Sequence, residues 1–302
     1  MATLLELTQQ GDVATISDES RLRDVKLMHP QQLYELWERQ PWQAHAIDLA
    51  RDVEDWAALP AADREEMIWA LSSFFVGEER VTTQFSGIVM AYEDQAEEAY
   101  LTTQQVDEAR HTQFFSRLYD EVMGTGGGID AQLEQVREDL NDAFVTLFDE
   151  HLVDACNRLV ADPTDRNAKV DFVTTYHMVI EGVLALTGQF FITDHFEKRG
   201  IMPGFVEGFQ RISQDEHRHV AYGTWYLQKS AREDAALARR IQDKLAELLP
   251  VAAGVLVPRG KDPFGEWELF GYTNTEVNEF AFRALTRRLK VIGVGLPEVA
   301  PA

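Results

Sequence analysis

Two short stretches carry a carboxylate and an imidazole three residues apart: Glu108-Ala-Arg-His111 and Glu216-His-Arg-His219. On a helix, positions i and i+3 share a face, so each stretch presents an acid beside an imidazole, which is half of a metal site. Glu78 precedes the first stretch and Glu181 the second, each within an apolar segment. One Glu-x-x-His on a helix is ordinarily a solvated face. The order Glu, Glu-x-x-His, Glu, Glu-x-x-His is hard to obtain by chance and is the pattern of a dinuclear carboxylate centre inside a four-helix bundle. The candidate ligands are therefore Glu78, Glu108, His111, Glu181, Glu216 and His219. Burying carboxylates is costly unless they are paired or bound to metal. Four carboxylates bring four negative charges, which two divalent cations cancel. Oxygen donors with only two imidazoles favour iron or manganese over zinc or copper.

The elements that must position these residues read as helices. A long one is expected from near Asp63, where Asp63-Arg-Glu-Glu66 has the form of a capping box. Its apolar stripe runs through Ile68, Leu71, Phe74, Phe75, Val81, Phe85, Ile88 and Val89, with Glu78 on it. Further helices are expected over 96–123, ended by Gly124-Thr-Gly-Gly-Gly128, over 131–161, and over 166–199, closed by Gly200. Pro203 suits the first turn of the next, 203–230, followed by 232–252 and, after a Pro/Gly-rich loop, 275–290. Glu108 and His111 continue a stripe with Leu101, Phe115 and Leu118. Glu216 and His219 continue one with Phe205, Phe209, Ile212 and Val220, and Glu181 falls among Met178, Leu184 and Ala185. Strand signals are nearly absent. The expected fold is all-α, a ferritin-like four-helix bundle core with additional helices. One domain over 1–302 is expected because the ligands must converge, with a polar arm over 1–28 and a flexible tail over 291–302.

Composition narrows the function classes. Of 302 residues, 45% are hydrophobic, enough for a substantial core, and the net charge of −23 argues against nucleic acid and anionic membrane surfaces as partners. Cys156 is the single cysteine, so no internal disulfide and no multi-thiolate cluster can form. The first ten residues lack the basic and apolar regions of a signal peptide, and no stretch is apolar enough to span a membrane. A cytoplasmic location is expected.

From about Trp42 to about Phe282 the chain resembles the small subunit of ribonucleotide reductase, and within that superfamily the small-subunit-like ligand-binding oxidases. The motifs are Gly77-Glu-Glu-Arg-Val-Thr82, Asp107-Glu-Ala-Arg-His-Thr112, the segment Tyr176–Gly188, and Asp215-Glu-His-Arg-His219 with Ala221-Tyr-Gly-Thr224. Asp48-Leu-Ala-Arg-Asp52, with Asp55-Trp56 and Leu59-Pro60, resembles the segment before the first ligand helix. Radical-generating small subunits usually carry a tyrosine four residues after the first metal-binding histidine; here that position is Phe115. One reductase subclass also lacks it and uses a manganese–iron centre.

The oxidases carry a valine three residues after the first glutamate and a tyrosine five before the third, and this chain has Val81 and Tyr176 there. The resemblance implies that oxygen activation at the centre forges an ether link between the tyrosine oxygen and the valine β-carbon. Spacing alone does not: at 3.6 residues per turn, Tyr176 lies about 140° around the helix from Glu181. Outside the family context Val81 reads as core and Tyr176 as a buried hydroxyl. The resemblance further implies manganese at Glu78, Glu108 and His111, iron at Glu181, Glu216 and His219, bridging carboxylates, O2 as oxidant, a long-chain fatty acid whose carboxylate reaches the metals, and a homodimer. Phe74, Phe75, Phe115, Val179, Leu184 and Phe191 could line the lipid tunnel, although such residues are more often ordinary core. Asp215 is expected to orient a metal-binding histidine through a hydrogen bond, and Trp42 resembles an electron-relay tryptophan. His177, His195 and His217 match no ligand position.

The expected activity is that of a Mn/Fe or Fe/Fe oxidase using O2 for two-electron C–H oxidation, with an electron donor and substrate that the sequence does not specify. Two alternatives stand beside it. One is a tyrosyl-radical-free reductase small subunit, against which the absence of Tyr from Gly293–Ala302 argues. The other is a ferritin-like iron-binding or storage protein.

Overall fold

The computed structural model describes residues 27–263 and 265–297. The arm expected over 1–28 lies almost wholly outside them, as does the expected tail from 298 onward. Within the described part of that tail, Val291, Ile292 and Val294 are buried.

Helix α1 (Pro30–Arg39) is followed by α2 (Ala50–Ala58), α3 (Ala61–Gln84), the short α4 (Ser86–Met90) and α5 (Gln95–Arg117), which a π-helical turn extends over Leu118–Val122. Helix α6 (Gly128–Val136) comes next. Helix α7 (142–161) joins Asp142–Val145, π-helical Thr146–His151 and Leu152–Ala161. Helix α8 (166–199) joins Arg166–Val173, π-helical Thr174–Ala185 and Leu186–Arg199. Then come α9 (Pro203–Glu233), α10 (Ala235–Val255), a hairpin of β1 (Glu268–Leu269) and β2 (Tyr272–Thr273), and α11 (Asn274–Ile292). The all-α expectation therefore holds, and the two-residue strands only close a loop.

Helix ends follow local chemistry. Asp94 caps α5 by accepting from the Glu97 N–H at 2.9 Å. Gly200 ends α8 in the left-handed conformation, as expected. Two expectations fail. Helix α3 starts at Ala61, directly after Pro60 in the N-cap position, and no side chain caps it. Asp63 sits inside the first turn and pairs with Arg199 at 2.9 Å. The helix expected over 131–161 is broken at Leu140, which is extended; Asn141 restarts the chain by accepting from the Phe144 N–H at 2.8 Å.

Four helices enclose the centre. Helix α3 lies along α5, α5 along α9, and α9 along the π-helical part of α8. Gly208 permits the α5–α9 approach, because a Cβ there would sit 1.9 Å from the Phe114 ring. The start of α9 is fixed by α2. Asp52 accepts from the Gly204 and Phe205 N–H groups at 2.9 and 2.6 Å, and Asp55 from Met202 at 2.8 Å. These acids satisfy donors that a helix N-terminus leaves unpaired. They give a physical role to the segment before the first ligand helix.

Candidate metal centre

The six candidate residues meet in one buried cluster, each 5% exposed or less. Glu78 comes from α3, Glu108 and His111 from α5, Glu181 from α8, and Glu216 and His219 from α9. They form two groups, Glu78–Glu108–His111–Glu216 and Glu108–Glu181–Glu216–His219, each offering four donor atoms within 4.8 Å of one another. Glu108 and Glu216 belong to both, which is where bridging carboxylates would stand. His111 Nδ1 lies 3.2 Å from Glu78, 3.5 Å from Glu108 and 3.8 Å from Glu216. His219 Nδ1 lies 3.0 Å from Glu108, 3.0 Å from Glu181 and 3.7 Å from Glu216.

Burial pushes the Glu78 carboxyl up to about 8, against the opposing pull of His111. Burial and the neighbouring Glu216 hold Glu181 well above the carboxylate range. Burial also works against a charged Glu108, but the His219 and His111 imidazoles outweigh it and hold that acid well below its usual value. One oxygen each of Glu181 and Glu216 is buried with no hydrogen-bond partner among the described residues. Such oxygens are costly as they stand, and a cation held between them satisfies both. The donor set fits two oxygen-preferring divalent cations.

A second set of residues braces the imidazoles. Asp215 on α9 faces His111 Nε2 on α5 at 3.2 Å, and Asp107 on α5 faces His219 Nε2 on α9 at 3.3 Å. With Nε2–H donating outward, each Nδ1 keeps its lone pair for the cluster. The expectation for Asp215 gains a geometry here. Asp107 was missed, although the sequence shows it: an Asp precedes the Glu in both Glu-x-x-His stretches, and an Arg precedes the His. Arg218, fully buried, donates to Asp107 at 3.0 Å and also to Asp215, while Arg110 reaches Asp107 at 2.9 Å and Asp215 at 3.4 Å. Trp37 Nε1 donates to Asp107 at 2.9 Å and Trp42 Nε1 to Asp215 at 2.7 Å. Arg218 and His111 outweigh burial and hold Asp215 down at about 2.

On the opposite side lies a cavity with about 720 Å³ of empty space, part of it open to solvent. All four cluster carboxylates line one end. The rest of its wall is mainly apolar, with Phe74, Val81, Phe148, Ile180, Leu184 and Phe270 among its members. Of the six apolar residues considered for a tunnel, Phe74 and Leu184 line it. Phe75, Phe115, Val179 and Phe191 are core packing outside its wall.

Residues 21–294 match the family model described as ribonucleotide reductase, small chain. The chain belongs to that family. Its solved relatives include R2-like ligand-binding oxidases. One variant with anaerobically reconstituted Mn/Fe cofactor is 26% identical over 87% of this chain and 93% of its own, with a TM-score of 0.76. Another variant, aerobically reconstituted, is 26% identical over 94% and 97%, with a TM-score of 0.76. The R2-like ligand-binding oxidase from Sulfolobus acidocaldarius is 25% identical over 89% and 92%, with a TM-score of 0.73. Among the described residues, no helix of this family member is long and apolar enough to cross a membrane.

The position that radical-generating members of the family fill with tyrosine is closed. Phe115 is fully buried between Phe74, Phe75 and Phe209. Tyr176 is placed differently from its α-helical expectation. In an i→i+5 helix, residues five apart draw toward one side, and the Leu186 N–H reaching the Glu181 carbonyl is such a bond. Tyr176 and Glu181 accordingly both meet the Gln104 amide at 3.3 Å. The Tyr176 hydroxyl donates to Glu108 at 2.5 Å, and its ring packs on Phe85, one turn beyond Val81. Burial and the Glu108 carboxylate keep the phenol well above its usual value, hence protonated. The Gln104 amide oxygen also accepts from His177 Nε2–H at 3.2 Å. Burial holds His177 neutral, well below the usual imidazole value. Gln104 carried no sequence signal, because a lone Gln on an apolar helix face has many uses.

Proposed function

We propose that the protein is a dinuclear Mn/Fe ligand-binding oxidase that uses O2 for two-electron C–H oxidation, binds a long-chain fatty acid, and links Val81 to Tyr176. The observation that carries this reading is the cavity: one space joins the four carboxylates and Val81 to an apolar channel. A lipid carboxylate would reach the cations while its chain occupies the channel, in keeping with pockets that pair apolar walls with few polar groups.

Glu78, Glu108, His111 and Glu216 would hold one cation, and Glu108, Glu181, Glu216 and His219 the other. When bound, the reduced metals supply O2 binding and two of the four electrons that take O2 to water. The residues do the rest. Asp215 and Asp107 hold the imidazole tautomers, and the buried cluster excludes bulk water. Glu108 accepts the Tyr176 hydroxyl and is the base beside its proton. In the link, the Tyr176 O–H and Val81 Cβ–H bonds break and a C–O bond forms. Two protons and two electrons leave, and O2 accepts the electrons.

The test is aerobic and anaerobic reconstitution with Mn²⁺ and Fe²⁺, followed by metal analysis and mass spectrometry of lipid released on denaturation. Two metals and a co-purifying long-chain acid support the reading; full metal loading with no lipid and no O2 uptake contradicts it.

One observation favours a second reading. Trp42 Nε1, Asp215 and His111 form a continuous hydrogen-bonded line toward the cluster, as an electron relay of a tyrosyl-radical-free reductase small subunit requires. Capture of a reductase large subunit, with ribonucleotide reduction on reconstitution, would favour it.

A further inference from the structure

Three phenols donate to carboxylates: Tyr176 to Glu108 at 2.5 Å, Tyr222 to Glu97 at 2.6 Å and Tyr226 to Glu93 at 3.1 Å. A buried tyrosine needs a hydrogen-bond partner in any case. A carboxylate is more than an acceptor, because it is a base within reach of the phenol proton. A tyrosine that gives up an electron becomes a strong acid and must shed that proton at once. The rings also stand in sequence. Tyr176 meets His177 edge to face at 4.6 Å between centroids, His177 lies 5.1 Å from Tyr222, and Tyr222 lies 6.0 Å from Trp225. Gly223 permits the middle contact, since a Cβ there would sit 2.3 Å from the His177 side chain. Tyr176, His177 and Tyr222 are fully buried. Trp225 is half-buried, with the Lys229 ammonium over its ring at 5.4 Å and the exposed His29 in edge contact at 5.3 Å. Burial and the Glu97 carboxylate keep the Tyr222 phenol well above its usual value, so it starts protonated, as Tyr176 does. Tyr100 shows the contrast. It is just as buried and lies 5.5 Å from Tyr222, but its hydroxyl has no partner among the described residues.

We propose that Tyr176, Tyr222 and Trp225 form an electron path from the protein surface to the cluster, which refills the cluster when O2 has been consumed and no C–H bond has been oxidised. The proposal rests on the oxidase reading above, and the path shares no residue with the Trp42–Asp215–His111 line. One electron passes from Trp225 to Tyr222, then past His177 to Tyr176 and into the oxidised cluster. While a phenol is oxidised its proton rests on Glu97 or Glu108, and it returns when the ring regains its electron. Trp225 releases its indole proton to water, and an external one-electron reductant of the ascorbate or thiol class restores the electron. The balance is one reductant oxidised for each oxidising equivalent removed from the cluster. His177, which burial holds neutral, bridges the two phenols without being oxidised itself. Tyr100, with no base at its hydroxyl, is a dead end. The Val81 link takes away the Tyr176 hydroxyl proton, so the path serves the unlinked protein.

The test exposes full-length protein, reconstituted with Mn²⁺ and Fe²⁺, to air in the presence of a nitroso spin trap and locates the adducts by peptide mass mapping. The expected result is an adduct on Trp225 that requires both metal and oxygen. Tyr222→Phe keeps the ring and removes the proton transfer; it should remove that adduct at equal metal content. Tyr100→Phe, an equally buried change against the same ring, should leave the adduct in place, which a mere disturbance of packing would not. Trp225→Phe should strand the oxidising equivalent on Tyr222, giving a tyrosyl signal in electron paramagnetic resonance that is lost when Trp225→Phe and Tyr222→Phe are combined. No adduct on Trp225, in protein that has loaded metal and consumed oxygen, overturns the proposal and leaves the oxidase reading standing. An equal adduct in metal-free protein, or one that survives Tyr222→Phe, does the same. Full metal loading without oxygen uptake overturns the oxidase reading and this proposal together.

Discussion

The two sides of the carboxylate–histidine cluster are built on opposite principles. On the α5–α9 side, two Asp-Glu-x-Arg-His stretches face each other, and each Asp holds the histidine of the other stretch. Arg218, Arg110 and two indoles complete the brace, and charge is matched to charge. On the α3–α8 side, Glu78 and Glu181 face an apolar cavity whose wall holds no arginine or lysine among the described residues, and the backbone of α8 is itself irregular, π-helical over Thr174–Ala185. The lesson is a division of labour. The braced side fixes ligand geometry, and the apolar side keeps its carboxylates available to cations and to whatever enters the cavity.

This contrast can be broken from either side. The largest effect is expected at the shared donors: Glu108→Ala or Glu216→Ala should empty both cation positions, whereas Glu78→Ala should lower chiefly the one at His111 and His219→Ala chiefly the other. Metal analysis after reconstitution reads the difference, and equal losses for all four variants would contradict the assignment of two overlapping groups. Arg218→Met strikes the brace itself. It leaves Asp107 and Asp215 buried with less compensation, and a loss of about 3–5 kcal/mol in unfolding free energy is expected, measured by denaturant titration. Asp107→Asn and Asp215→Asn sharpen the comparison, because each should weaken one cation by about 10–100-fold through its own histidine: Asp107 that at His219, Asp215 that at His111.

The smallest effect concerns pH and belongs to the apolar side. Burial raises Glu78 to about 8 and Glu181 well above its usual value. The metal-free fold therefore holds protons that the unfolded chain releases. The sign follows from proton linkage: stability of the metal-free protein should fall as pH rises from the ordinary carboxylate value of about 4.5 toward about 8. Bound cations, which displace those protons, should flatten that slope. Thermal melts of metal-free and metal-loaded protein across that window read it.

Much of this was legible in the residues. Spacing of i and i+3 placed Glu108 with His111 and Glu216 with His219, and glycines at 124–128 and 200 marked real helix ends. What escaped notice has physical reasons. Asp63 with Glu66 mimics a capping box, but Pro60 holds the N-cap position and Asp63 is drawn to Arg199, distant in sequence. The π-helix leaves no mark in apolar periodicity, so Tyr176 was placed about 140° from Glu181 by α-helical geometry, although both meet Gln104. The cavity wall joins Phe148, Leu256 and Phe270 to α3, and no local pattern announces contacts of that range. Asp107 was the one miss that the sequence did record, as the first residue of a motif repeated at Asp215.

The most direct test of the central claim is peptide mass mapping of protein reconstituted with Mn²⁺ and Fe²⁺, before and after exposure to air. A linked pair of peptides containing Val81 and Tyr176, lighter by two hydrogens and absent without oxygen, is the result predicted. Unlinked peptides from protein that is fully metal-loaded and has consumed oxygen would contradict it.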